Sequence, residues 1–112
     1  MSSQATGARD QGASAASDRV TSLASDAAGI IREELGASSR ILWFGSWAKG
    51  TARRHSDIDL AVIPPKDVTG RDWSRLRERI EEIPTLYSFD LVDLTELSEA
   101  LRLEIEQHGV PV

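Results

Sequence analysis

Two aspartates, Asp57 and Asp59, sit inside an otherwise apolar run that continues through Ile58, Leu60, Ala61, Val62 and Ile63. That run ends at Pro64-Pro65, where neither residue can donate to a β-ladder. Its length and composition predict a strand over Asp57 to Ile63, and side chains along a strand alternate between faces. Asp57 and Asp59 then share one face, roughly 7 Å apart along the chain, while Ile58 and Leu60 take the other. Like charges about 4 Å apart repel by about 4 kcal/mol at an effective dielectric near 20. A small domain has only about 5 to 15 kcal/mol of stability in total. Such a pair is a poor structural device and a good ligand set for a divalent cation.

What precedes the pair matters equally. A second apolar run, Arg40 to Phe44, stops at Gly45-Ser46. It reads as a short buried strand followed by one helical turn from Ser46 to about Gly50, with Ser46 at its cap. Gly45 lets a backbone approach a ligand closely, and free N–H groups at the start of a helical turn suit an anion. Lys49, Arg53 and Arg54 lie between this turn and the aspartates. Lys49 and Arg53 are as consistent with solvent as with phosphate contact. A third apolar run, Tyr87 to Leu94, carries Asp90 and Asp93. If it pairs beside the second strand, Asp90 joins the face of Asp57 and Asp59. Three carboxylates there suit two Mg²⁺ ions bridging a substrate phosphate. Asp93, near the strand end, reads as a turn residue.

The other segments are helical. Val20, Leu23, Ala27, Ile31 and Leu35 recur at helical spacing between Ser17 and Gly36. A second helix is predicted over Thr69 to Ile83, with Thr69 and Asp72 as a capping box and Trp73, Leu76, Ile80 and Ile83 on one face. Its many charges read as a solvated face. Ser98 caps a last helix that ends near His108-Gly109, and Val110-Pro111-Val112 is a strand stub. Residues 1–16 lack a large hydrophobe after Met1 and read as a disordered tail. Residues 17–112 then form one α+β domain, a small mixed sheet with helices packed on it. Trp43 and Tyr87 are expected in the core or sheet, and Trp47 half-buried over the turn. His55 is read as a solvated loop residue and His108 as a compensator of the helix dipole.

Bulk properties narrow the function. With 112 residues and a net charge of −5, direct nonspecific binding of nucleic acid is not expected, since such binders are basic. No apolar stretch approaches the roughly 20 residues of a membrane span. The absence of cysteine removes disulfides and thiolate metal sites and suits a reducing cytoplasm.

Gly45-Ser46, then residues 47–56, then Asp57-Ile58-Asp59 resembles the signature of the DNA polymerase beta-like nucleotidyltransferase superfamily. The short chain looks like its minimal nucleotidyltransferase branch. Phe89-Asp90-Leu91 stands where that family carries a third metal-binding carboxylate. The resemblance implies the nucleotidyltransferase fold and transfer of a nucleoside monophosphate, most simply AMP from ATP, to an acceptor hydroxyl. It implies two Mg²⁺ ions held by Asp57, Asp59 and Asp90, and a triphosphate held at Gly45 and Ser46 with Lys49 and Arg53 nearby. It also implies a partner, since domains of this size commonly pair with a helical HEPN-type protein as the antitoxin of a toxin–antitoxin pair, in homo- or hetero-oligomers. Two alternatives stand beside this: transfer to a small molecule such as an aminoglycoside, and an idle partner-binding module.

Overall fold

A computed structural model describes residues 2–50, 56–65 and 67–112, with side chains from Asp18 onward except that of Lys49. Eight main elements follow in order: α1 (Ser2–Leu35), β1 (Arg40–Phe44), α2 (Gly45–Lys49), β2 (Ile58–Ile63), α3 (Gly70–Glu81), β3 (Phe89–Asp93), α4 (Glu99–His108) and β4 (Val110–Pro111). A 3-10 turn, Leu94–Glu96, precedes α4.

The strands form one sheet in the order β3-β2-β1-β4. β1 runs antiparallel to both β2 and β4, and β2 runs parallel to β3. The sheet is therefore mixed, as expected. A parallel pair needs a crossover rather than a hairpin, and α3 supplies it. This topology sets the site. The end of β1 and the beginnings of β2 and β3 all meet at one edge of the sheet, so the Gly45-Ser46 turn and the aspartates arrive together.

The two faces are covered differently. On one, Ile41 and Trp43 of β1 and Ile58, Leu60 and Val62 of β2 pack beneath Val20, Ala24, Ala27, Ala28, Ile31 and Leu35 of α1 and Leu76 and Ile80 of α3. Small alanines on α1 allow that helix to lie close. On the other face Leu42 and Ala61 pack against Leu94 of the 3-10 turn and Ile105 of α4. Trp43 is buried as expected, and its indole N–H has no partner among the described residues.

Local signals explain most boundaries. Thr69 and Asp72 make the expected reciprocal box: Asp72 N–H donates to Thr69 Oγ1 at 3.2 Å and Thr69 N–H to Asp72 Oδ2 at 2.9 Å. Ser98 Oγ accepts from Leu101 N–H at 3.3 Å. α3 stops at Glu81, slightly short of Ile83. Arg79 from its charged face reaches α1, pairing with Glu33 at 2.7 Å and Glu34 at 3.1 Å. Arg71, Arg75, Arg77, Glu78, Glu81 and Glu82 are exposed, as expected of a solvated face. α1 begins at Ser2 rather than near Ser17, and the first described side chain of the buried core is Val20.

Candidate active site

β2 begins at Ile58, one residue later than its sequence pattern predicts. Asp57 lies just before it, exposed, while Asp59 is half-buried within it. The register pairs Asp59 with Asp90 across the β2–β3 ladder and Asp59 with Phe44 across β1. Asp59 and Asp90 are thus on one face, opposite the Leu60 and Leu91 pair. The alternation expected from sequence holds, and Asp93 falls on the other parity. Asp93 Oδ1 instead accepts from Thr95 N–H at 2.9 Å and Thr95 Oγ1 at 2.6 Å, capping the 3-10 turn.

The carboxylates feel one another. The Asp59 carboxyl is pushed up to about 6, first by partial burial and then by the charges of Asp90 and Asp57. Burial and neighbouring like charge both favour the neutral form of a carboxyl. Among the described residues, no three acidic or imidazole side chains stand in an arrangement that holds an ion as it is. The donor set itself, all carboxylate oxygen, fits an oxygen-seeking cation such as Mg²⁺.

The glycine turn belongs to the same site. Gly45 has φ +82°, a left-handed conformation that disfavours side chains. A Cβ placed on it would fall 2.9 Å from Asp59 Cγ and nearer still to Oδ2. The turn is therefore packed directly on the carboxylate. α2 starts at Gly45 itself, with Phe44 at the cap position and no side-chain cap bond. Ser46 is inside the first turn rather than at its cap, contrary to the sequence expectation. The physical reason is that the bend occurs at the glycine's positive φ, one residue earlier.

Trp47, half-buried, donates from its indole N–H to the Ser56 carbonyl at 2.8 Å and meets Tyr87 edge-on at 5.7 Å between ring centroids. Sequence reasoning expected partial burial there and missed both contacts. Arg53, Arg54 and His55 lie outside the described residues, as does the side chain of Lys49. His108, at the end of α4, helps line a cavity of about 130 Å³ beside the turn, with Phe44, Gly45, Ala48, Leu101 and Ile105. A larger open groove, about 800 Å³, is bordered by Arg19, Leu23, Leu86 and Tyr87 and contains none of the carboxylates. Its size does not make it the chemical site.

Known proteins are similar to this chain in sequence and fold. Residues 31–112 match the family described as "Polymerase beta, Nucleotidyltransferase". The chain is 43% identical over 61 residues to "Probable protein adenylyltransferase MntA" of Haemophilus influenzae, covering 53% of this chain and 52% of that protein. It thus spans about half the length of that curated relative. Among solved structures, a candidate minimal nucleotidyltransferase superposes with a TM-score of 0.65 at 26% identity, covering 83% of this chain and 95% of that one. A toxin–antitoxin crystal structure with AMP-PNP superposes with a TM-score of 0.61 at 28% identity, covering 74% and 66% of the two chains. With a sheet topology that gathers the glycine turn and the aspartates, and a family match over most of its length, the chain belongs to the polymerase beta nucleotidyltransferase family.

Proposed function

We propose that this chain is a Mg²⁺-dependent nucleotidyltransferase that moves AMP from ATP to a hydroxyl of a HEPN-type helical partner, as the antitoxin of a toxin–antitoxin pair. The observation that carries this reading is the Gly45 turn packed on Asp59, whose carboxyl is raised to about 6 by burial and by Asp90 and Asp57. A site built this way wants positive charge and has backbone N–H groups beside it for an anion. A metal-bound triphosphate brings both. The adenylyltransferase relative and the AMP-PNP-containing toxin–antitoxin neighbour support the choice of AMP and of a protein acceptor.

Asp57, Asp59 and Asp90 would hold the metal, which when bound supplies positive charge against the triphosphate oxygens. Gly45 and Ser46 bind the triphosphate tail through the backbone at the start of α2, with Lys49 and Arg53 contributing positive charge. The acceptor oxygen attacks the α-phosphorus, the bond from that phosphorus to the bridging oxygen breaks, and pyrophosphate leaves. Asp90, exposed at the rim, orients the acceptor hydroxyl and receives its proton. A chain without cysteine is suited to the cytoplasm, where ATP and Mg²⁺ are plentiful, and among the described residues no helix is long and apolar enough to cross a membrane.

The test is incubation of the chain with ATP labelled on the α-phosphate and a co-purified helical partner, followed by recovery of the label. Label on the partner, dependent on Mg²⁺ and lost in Asp57→Asn, is the expected result. Label on an added aminoglycoside instead would assign a small-molecule acceptor. No transfer to any acceptor, with the partner still bound, would make the domain an idle masking module.

A further inference from the structure

Asp57 is the one proposed ligand that lies outside a strand, just before β2 and exposed. An exposed loop carboxylate would ordinarily wander, and a ligand that wanders binds weakly. Its neighbours on both sides are held. On the C-terminal side, Ile58 N–H donates to the Ser88 carbonyl at 2.8 Å, immediately before β3. On the N-terminal side, the Ser56 carbonyl accepts from the Trp47 indole at 2.8 Å. Trp47 is itself in α2, two residues beyond Gly45, and its ring abuts Tyr87 at 78° between planes. Tyr87 is the residue before Ser88. The contacts close a circuit: Trp47 to Ser56, along the chain through Asp57 to Ile58, across to Ser88, back through Tyr87 to Trp47.

We propose that Trp47 is a positioning residue, whose indole N–H fixes Asp57 at a set spacing from the Gly45-Ser46 turn and from the β3 strand that carries Asp90. This rests on the nucleotidyltransferase reading and adds to it a reason for the tryptophan. A purely apolar ring would fill the same space. It is the indole N–H of Trp47 that reaches the backbone carbonyl beside the ligand. The bond spans from the phosphate-binding helix to the metal-binding segment, so one contact sets the separation of the two halves of the site. Displacement of a positioned group by about 1 Å can cost about a hundredfold in rate.

Trp47→Phe tests this, because it keeps a ring against Tyr87 and removes the donor. In the ligand-free variant, amide hydrogen exchange read by NMR should quicken about fivefold at Ile58, the worth of one net hydrogen bond. The Leu76 and Ile80 amides of α3 should be unchanged. Titration with AMP-PNP should show affinity lowered about fivefold or more in Mg²⁺, with the weaker metal-free binding altered less than about twofold. Tyr87→Leu, which leaves the indole donor in place but removes its brace, should quicken Ile58 exchange in the same direction.

Unchanged Ile58 exchange in a Trp47→Phe chain that binds normally overturns the positioning role. So does an equal loss of affinity with and without metal, which would mark Trp47 as an ordinary packing residue. If the unsubstituted chain binds no Mg²⁺–AMP-PNP, the transferase reading itself falls and takes the positioning role with it.

Discussion

At the scale of single residues, Gly45 and Asp59 are two halves of one constraint. Gly45 is held at φ +82° against the Asp59 carboxylate. Gly45→Ala should cost about 1–3 kcal/mol from backbone strain, with further loss from the collision with Asp59. A thermal melt would register it, and binding of Mg²⁺–AMP-PNP should be lost along with it. Asp59 carries a pH signature. Its carboxyl stands at about 6 in the folded chain against 3.8 ordinarily. Above pH 6 it is ionised in both states and the full repulsion is present. As the pH falls through 6 the folded state takes up the proton first, so the metal-free domain gains stability from this group between about pH 6 and 4. Asp59→Asn removes the cost of burying the charge and the repulsion from Asp90 and Asp57, so the variant should melt higher than the unsubstituted chain at pH 7.5 and by a smaller margin at pH 5. A margin independent of pH would contradict the raised Asp59 carboxyl.

Among the elements, those with strong local signals were legible in the sequence. The box of Thr69 and Asp72, the cap at Ser98 and the stop at Pro64-Pro65 lie where the residue chemistry puts them. Thr69→Ala should lower stability by about 1 kcal/mol, on the order of 5 °C in Tm for a domain this size, and leave nucleotide affinity unchanged. A change in affinity would mean α3 reaches the site. Strand ends were less legible. Tyr87 reads as strand, yet its N–H turns to Thr85 Oγ1 at 3.2 Å and its ring to Trp47. Leu94 reads as strand, yet Asp93 caps a 3-10 turn there. Side chain to backbone bonds of this kind compete with the ladder and leave no periodic trace.

For the whole molecule, the arrangement of strands carries the site, and arrangement is what alternation of residues does not encode. Nothing in Phe89 to Asp93 states that it pairs parallel beside β2 rather than at the β1 edge. The conditional expectation that Asp90 shares the face of Asp59 became definite only through the β2–β3 register. The Trp47 to Ser56 bond was equally hidden, since it joins segments through a side-chain donor with no spacing rule. The tail has a simpler consequence. Residues 1–16 hold no large hydrophobe after Met1, so we propose that the domain proper starts near Ser17. Deleting residues 1–16 should shift Tm by less than about 2 °C and leave nucleotide binding intact. A larger drop would show that the early turns of α1 are part of the folding unit.

The central claim is that the aspartates and the glycine turn together make a site for metal-bound nucleotide. Isothermal titration of the full chain with AMP-PNP, with and without Mg²⁺ and repeated on Asp57→Asn, tests it most directly. Saturable binding that Mg²⁺ strengthens at least about tenfold, with that gain lost or sharply reduced in the variant, is the predicted result. Binding indifferent to Mg²⁺, or undiminished in a variant that remains folded, would contradict it.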